Sequence, residues 1–286
     1  MLKEMLVLIK KYIWIVSCCL LLVLAACLPA ASAAAVRARQ DYAPVLMYHD
    51  IKVVPLNGFD VTREDFKKQL DWLQQHHYQT LSMDEYLAIL ASGQPFPEKS
   101  VLLTFDDGYE GVYTQAVPEL IQHQMKATFF VFKNGIDTKL EGYPYLTAQE
   151  LKEMAANPLF SIESHTISHP DLTVLPAEQL QQELTASREY LEKITGKSCR
   201  ALAYPYGRSN PQVIAAVRAA GYQAAFSIAD SDGAGFDTCY TIPRIYMGME
   251  LGRKDNALFR KYVKAYASMP PAAFAERFGD LTDKAK

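Results

Sequence analysis

From residue 44 onward, short apolar runs alternate with stretches in which apolar side chains recur every three to four positions. The alternation predicts strands at 44–48, 101–105, 127–132, 160–163, 201–204 and 223–228. It predicts helices at 63–76, 82–90, 112–124, 147–155, 179–194, 211–220 and 255–267. Segment 63–76 sets Phe66, Leu70 and Leu73 on one helical face, and 82–90 opens with Ser82 and Glu85 at the spacing of a capping box. Residues 101–105 (VLLTF) are apolar almost throughout, as in a strand buried on both faces. The clearest helix is 179–194, where Leu180, Leu184, Ser187, Leu191 and Ile194 share a face and Gly196 stops the helix. Strands alternating with helices give an α/β class with a parallel sheet covered by helices, either a barrel or an open doubly wound sheet. No internal repeat is present. No Gly-x-Gly-x-x-Gly follows a strand and there is no phosphate loop, so nucleotide-binding folds lose support.

Ahead of this pattern lies a block of a different kind. Tyr12 to Val36 carries no charge, and Lys3, Lys10 and Lys11 precede it. Basic residues, an apolar stretch and then small residues form an export signal. Three readings stay open. Leu24-Ala25-Ala26-Cys27 resembles a bacterial lipobox, in which cleavage before Cys27 leaves its thiol for lipid attachment; this is the preferred reading. Ala31-Ser32-Ala33 offers an ordinary cleavage site and a secreted product. Uncut, the block is long enough to span a bilayer with the lysines inside, although Pro29 interrupts its outer end. Each reading carries the remainder out of the cytoplasm. The preferred one divides the chain into a signal at 1–26, a tether at 27–41 and one catalytic-sized domain at 42–286.

Composition adds exclusions. Of 286 residues half are hydrophobic, and 29 basic side chains stand against 32 acidic ones, for a formal charge of −3. Collagen-like, disordered and disulfide-scaffold classes do not fit, and no basic footprint for nucleic acid exists. Among the five cysteines, Cys199 and Cys239 either pair in an oxidising compartment or pack as separate thiols. Nothing in the sequence sets an oligomeric state.

Two places hold candidate chemistry. Thr104-Phe105-Asp106-Asp107-Gly108 follows the apolar strand, and adjacent carboxylates at a buried strand end raise each other's pKa unless a positive group compensates them. A divalent metal would do so, one Asp binding it and the other serving as a base; a solvated turn capping the next helix is the plain alternative. Ser164-His165-Thr166-Ile167-Ser168-His169 follows strand 160–163 and sets two of the six histidines four apart. Such pairs occur on surfaces, as at His76-His77. Together, a His pair and an Asp pair at the C-terminal ends of parallel strands occupy the edge where α/β active sites collect. His₂-carboxylate sets suit a catalytic Zn²⁺.

At these residues the chain resembles the polysaccharide deacetylases of carbohydrate esterase family 4. Thr-Phe-Asp106-Asp107-Gly matches the first motif, His165-Thr-Ile-Ser-His169 the second, and Ala203-Tyr204-Pro205-Tyr206-Gly207 much of the third. The resemblance extends from about Pro44 to about Met247. It implies a single distorted (β/α) barrel, a divalent metal on Asp107, His165 and His169, Asp106 as general base, and the backbone N–H of Tyr206 in the oxyanion hole. Zn²⁺ is the first expectation for the metal, and Co²⁺, Ni²⁺ and Fe²⁺ fit similar donors. Two departures stand out. Ala203 occupies the position of an Arg that orients the base, for which Arg244 or Arg208 are substitutes. The late Leu-x-His of the general acid is missing, since no His follows His169. His49, in Met47-Tyr48-His49-Asp50-Ile51 at the end of the first strand, is the candidate acid, or else a supporting histidine bonded to Asp50.

Tyr109, Tyr113, Tyr143, Tyr145, Tyr204, Tyr206, Phe236 and Tyr246 are expected in or near the loops after strands, either lining a sugar-stacking groove or packing the barrel top. The resemblance points to the branch that N-deacetylates poly-β-1,6-N-acetylglucosamine at the cell surface. Peptidoglycan, chitin oligomers or xylan are rival substrates for the same site, and a non-catalytic glycan-binding lipoprotein is the rival from another class.

Overall fold

Residues 43–228, 239–248, 259–261 and 263–264 are described in a computed structural model of the chain. Seven parallel strands close into a barrel: β1 (Val45–Tyr48), β2 (Ser100–Phe105), β3 (Ala127–Val131), β4 (Phe160–Ser164), β5 (Ala201–Ala203), β6 (Ala224–Ile228) and β7 (Ile242–Tyr246). Closure falls at β1. It pairs with β2 from Val45↔Leu102 to Tyr48↔Phe105, and with β7 at Leu46↔Ile245 and Met47↔Tyr246. Around the barrel run α1 (Arg63–Gln75), α2 (Met83–Ser92), α3 (Val117–Gln122), α4 (Ala148–Ala156), α5 (Ala177–Thr195) and α6 (Pro211–Ala219). Of the two architectures that the alternation allows, the chain adopts the barrel.

Inside and outside alternate residue by residue, as strands buried on both faces require. Val45, Leu102, Phe130, Ala201, Ala203, Ala224, Phe226 and Ile242 form the interior cluster. Their neighbours Leu46, Leu103, Phe129, Leu202, Ala225 and Ile245 belong to the larger cluster under the helices. The interior cluster continues through Leu81, Met83, Tyr86, Leu87 and Phe96, so α2 and its flanks stopper the N-terminal end of the barrel. The capping box that starts α2 is formed: Glu85 N donates to Ser82 Oγ at 3.2 Å and Ser82 N to Glu85 Oε2 at 2.8 Å. Gly196 ends α5 in the left-handed conformation, as expected from its position.

Several expectations need correction. The predicted 112–124 helix is a π-helical turn (Val112–Ala116) followed by the short α3, because Pro118 has no N–H for the turn before it. Strand β7 is absent from the predicted set. Pro243 inside it argues against a strand, yet Pro243 sits in register opposite Ser227 of β6. Two small pairings at the C-terminal end of the barrel are also unforeseen: Asp50–Lys52 with Asp60–Thr62, and the hairpin Lys139–Leu140 with Tyr143–Pro144. Cys199 and Cys239 form no disulfide. Of the last predicted helix only 259–261 and 263–264 are described, and there Phe259 meets Trp72 edge-on at 5.6 Å. The three readings of the N-terminal block, Cys27, the tether and Phe236 lie outside the described residues. Among those described, no helix is long and apolar enough to cross a membrane.

Candidate active site

Parallel strands gather their following loops at one end of the barrel, and each predicted site residue is found there. Asp106 and Asp107 leave the end of β2. Asp107 has φ 70° and Gly108 φ 81°, a left-handed pair that sends the two carboxylates to different partners. A side chain at Gly108 would meet Val131 Cγ1 at 2.9 Å, so only glycine fits the turn.

Asp106 points into the barrel and is 2% exposed. Arg244, from β7, grips it with two parallel bonds, Nη1 to Oδ1 at 2.6 Å and Nη2 to Oδ2 at 2.7 Å. The guanidinium is itself buried. Its Nε donates to Ser227 O at 3.3 Å, and it lies over the Phe130 ring at 5.5 Å. Arg244, not Arg208, therefore takes the place of the Arg missing at Ala203; Arg208 pairs with Asp171 at 2.7 Å. The exchange is consistent in volume, since β5 turns only Ala201 and Ala203 inward and leaves interior room for Arg244, Phe130 and Phe226. Burial pushes the Asp106 carboxyl upward, but Arg244 and then His165 outweigh it and leave the group below the usual carboxylate range.

Asp107 faces the two histidines. Its Oδ1 is 3.4 Å from Nε2 of His165 and 3.4 Å from Nε2 of His169, and the two Nε2 atoms are 3.1 Å apart. His165 Nδ1 is bonded to Ala203 O at 2.8 Å, which turns Nε2 toward the other two groups. Three donor atoms within 4.8 Å of one another, two imidazole and one carboxylate, fit a divalent cation that favours mixed N/O ligands. The electrostatics agree with a gathered, desolvated set. Burial and the neighbouring His165 charge lower His169 to about 4. Burial works to raise Asp107, yet hydrogen bonding to His165 and the charges of His49 and the other histidines hold it far below the usual range.

His49 lines the same cavity, of about 300 Å³, with both aspartates and both histidines. Its ring packs between Phe59 at 5.2 Å and Tyr246 at 5.7 Å. Among the described residues its buried Nδ1 has no hydrogen-bond partner, and Asp50 pairs instead with Lys52 at 2.5 Å; the supporting role bonded to Asp50 is not what forms. Burial lowers the His49 pKa, against the pull of Asp107 and Asp106. Tyr206, at the cavity mouth, adopts φ 58° and sets its 55%-exposed ring edge-on to His169 at 4.8 Å.

The expected aromatic set divides. Tyr109 stacks on Tyr145 at 4.8 Å and meets Tyr143 at 6.1 Å beside the site. Tyr113 lies away from it, bonded to Glu153 of α4, and the Tyr204 ring is buried with its hydroxyl on Tyr240 O. Tyr246 lines the cavity as expected, whereas sequence reasoning missed Phe59 at the cavity wall and the bond from the Tyr246 hydroxyl to Gly58 O at 2.7 Å, which ties that loop to β7. The one legible signal was the apolar tail of the 53–59 segment.

Comparison with known proteins gives a consistent picture. The sequence model of the polysaccharide deacetylase family matches residues 93–225. YxkH of Bacillus subtilis, which carries a polysaccharide deacetylase name, is 37% identical over 63% of this chain and 62% of its own length, so the chain spans less than two thirds of that relative. A Staphylococcus epidermidis protein named poly-beta-1,6-N-acetyl-D-glucosamine N-deacetylase is 32% identical over 72% of this chain and 79% of its own. Among solved structures, the Streptococcus pyogenes deacetylase PplD in complex with acetate is 28% identical, with a TM-score of 0.67 over 76% of this chain and 96% of that one.

Proposed function

The chain belongs to the polysaccharide deacetylase family, and on that premise we propose that it hydrolyses N-acetyl groups of an N-acetylglucosamine polymer, poly-β-1,6-N-acetylglucosamine foremost. The observation that carries this reading is the meeting, in one cavity, of an Arg-held carboxylate with a second carboxylate and two imidazoles. The similarity to the staphylococcal deacetylase supports the choice of polymer.

Asp107, His165 and His169 would hold a divalent metal, Zn²⁺ first by donor type, whose chemistry is to polarise the amide carbonyl and acidify water. Asp106, kept ionised by Arg244, takes the proton of the attacking water. The bidentate grip leaves each Asp106 oxygen a lone pair and fixes the direction in which it accepts. The Tyr206 N–H faces the carbonyl oxygen as that atom gains charge. His49 returns a proton to the departing nitrogen; its place on the cavity wall with both aspartates supports the role. Phe59 and Tyr206 flank the mouth and offer rings to sugar faces. Export directed by residues 1–26, with lipid on Cys27, belongs to the same proposal and is supported by the sequence alone.

Acetate release from β-1,6 and β-1,4 N-acetylglucosamine oligomers, peptidoglycan and acetylated xylan tests the reading, before chelation, after it and after Zn²⁺ is restored. Chelator-sensitive release, greatest from the β-1,6 oligomer, is the expected result. Release confined to another glycan moves the substrate. No release from any of them by metal-loaded protein overturns the enzymatic reading in favour of a glycan binder.

A further inference from the structure

The loop that carries His169 is backbone-strained. Thr166 has φ 74° and His169 φ 58°, left-handed conformations that cost a residue with a side chain on the order of 1 kcal/mol or more. Such a loop persists only if something outside it holds it. Part of the restraint is internal, with His169 N donating to Thr166 Oγ1 at 3.1 Å. Outside the loop, Lys133 N and Asn134 N donate to Thr166 O at 3.1 Å and Ile167 O at 2.8 Å, which fixes its start. The second anchor comes from α5, at Ile167 and Ser168 next to His169. Glu183 Oε2 accepts from Ile167 N at 2.8 Å and Ser168 N at 3.0 Å, and Oε1 accepts from the Ser168 hydroxyl at 2.6 Å. Successive N–H groups aimed at one carboxylate oxygen form an anion cradle, here filled by the protein's own side chain. The other two members of the Asp107, His165, His169 set do not depend on this contact. His165 is held by β4 and by Ala203 O, and Asp107 by the turn at Gly108.

The geometry points to Glu183 as a positioning residue for metal binding: its carboxylate clamps residues 167–168 and thereby holds His169 at coordinating distance from His165 and Asp107. The inference rests on the reading of those three residues as a metal site. Without the clamp, the strained loop relaxes and one ligand of three must be reordered at each binding event. The loss is therefore one of affinity, recoverable by excess metal, and not one of folding.

The test is calorimetric titration of the metal-free full chain with Zn²⁺, comparing wild type, Glu183→Ala, Glu183→Gln, His165→Ala and His169→Ala, together with thermal unfolding of each in the metal-free state. Glu183→Ala should weaken Zn²⁺ binding by ~10–100-fold, the usual range for losing a group that orients a ligand. Its metal-free unfolding temperature should match wild type, and kcat should return at excess Zn²⁺. Glu183→Gln should keep most of the affinity, because the amide oxygen still accepts the two N–H groups and the amide nitrogen can donate to Ser168 Oγ. His169→Ala should not recover with excess metal. Wild-type affinity in Glu183→Ala overturns the proposal, as does a weakening matched by an equal fall in metal-free stability, which would make Glu183 a general element of the fold. Absence of Zn²⁺ binding by wild type, or unchanged binding by His165→Ala, overturns the metal site itself and the clamp with it.

Discussion

The two ends of the barrel are built from the same seven strands and solve opposite problems. At the N-terminal end, Val45, Leu102, Ala201, Ala224 and Ile242 meet Met83, Tyr86 and Phe96 in a stopper of apolar side chains. At the C-terminal end the next inward positions are Arg244, Asp106 and His165, charged or ionisable groups as buried as the stopper, with the partly exposed Asp107 beside them. Apolar packing asks only for volume and shape, and it tolerates substitutions of similar size. Buried charge asks for a specific partner at a specific distance, and when it loses that partner the fold loses free energy. Arg244 lies at the boundary. Its guanidinium rests on Phe130, one of the interior aromatics, and faces upward to Asp106. The closed end thus supplies a floor on which the buried charges of the candidate site are stacked.

Replacing Arg244 by Met should break the contrast most severely. It leaves the Asp106 carboxylate buried and unpaired, which costs about 3–5 kcal/mol, measured by urea unfolding. Adding Asp106→Asn should restore most of that stability while activity stays lost by ~10²–10⁴-fold, the contribution of a general base. Recovery of activity in the double variant would remove Asp106 from the chemistry. At the other end, Tyr86→Ala should also cost about 3–5 kcal/mol, as for a large buried aromatic. There kcat and Zn²⁺ affinity should remain those of wild type at a temperature where the variant is folded; a matching fall in kcat would mean that the ends are not separable.

Asp50 offers a smaller test on the rim of the charged end. Burial raises its carboxyl to about 6 despite the Lys52 ammonium beside it. The folded chain therefore holds this proton more tightly than the unfolded one, whose carboxyl has the ordinary value of 3.8. Its contribution to stability is full below about pH 4 and is lost as pH rises through about 6. Asp50→Asn should remove up to about 3 kcal/mol of that decline. Parallel stability profiles of variant and wild type from pH 4 to 7 would show that the rim charge is held without cost.

Much of the site was legible because its information is local. Asp106-Asp107 and His165…His169 each follow an apolar run, and the end of a parallel strand is an address that needs no knowledge of the rest of the fold. His49 was found by the same rule. The helix start at Ser82 and the helix stop at Gly196 were legible because caps are chemistry between near neighbours. The strand around Pro243 was not, since a proline inside a strand contradicts the local rule, and only pairing with β6 and β1 overrides it. The 53–59 loop was hidden for a similar reason. What organises it is Asp60 accepting from Leu56 N at 2.6 Å and the Tyr246 hydroxyl reaching Gly58 from β7, 188 residues further along the chain.

By itself, then, the sequence determined the alternation of strand and helix, the end of the sheet where the chemistry gathers, and the identity of the two aspartates and two histidines. All of these follow from period, cap and turn, interactions that span a few residues. The resemblance carried by the motifs already implied the barrel; only the tertiary structure decided that β7 is the strand that closes it, and that Arg244 and not Arg208 grips Asp106. That contact joins residues 138 apart in the chain, and it forms because closure at β1 brings the last strand beside the first. No local pattern encodes such a meeting; it is a property of the closed barrel.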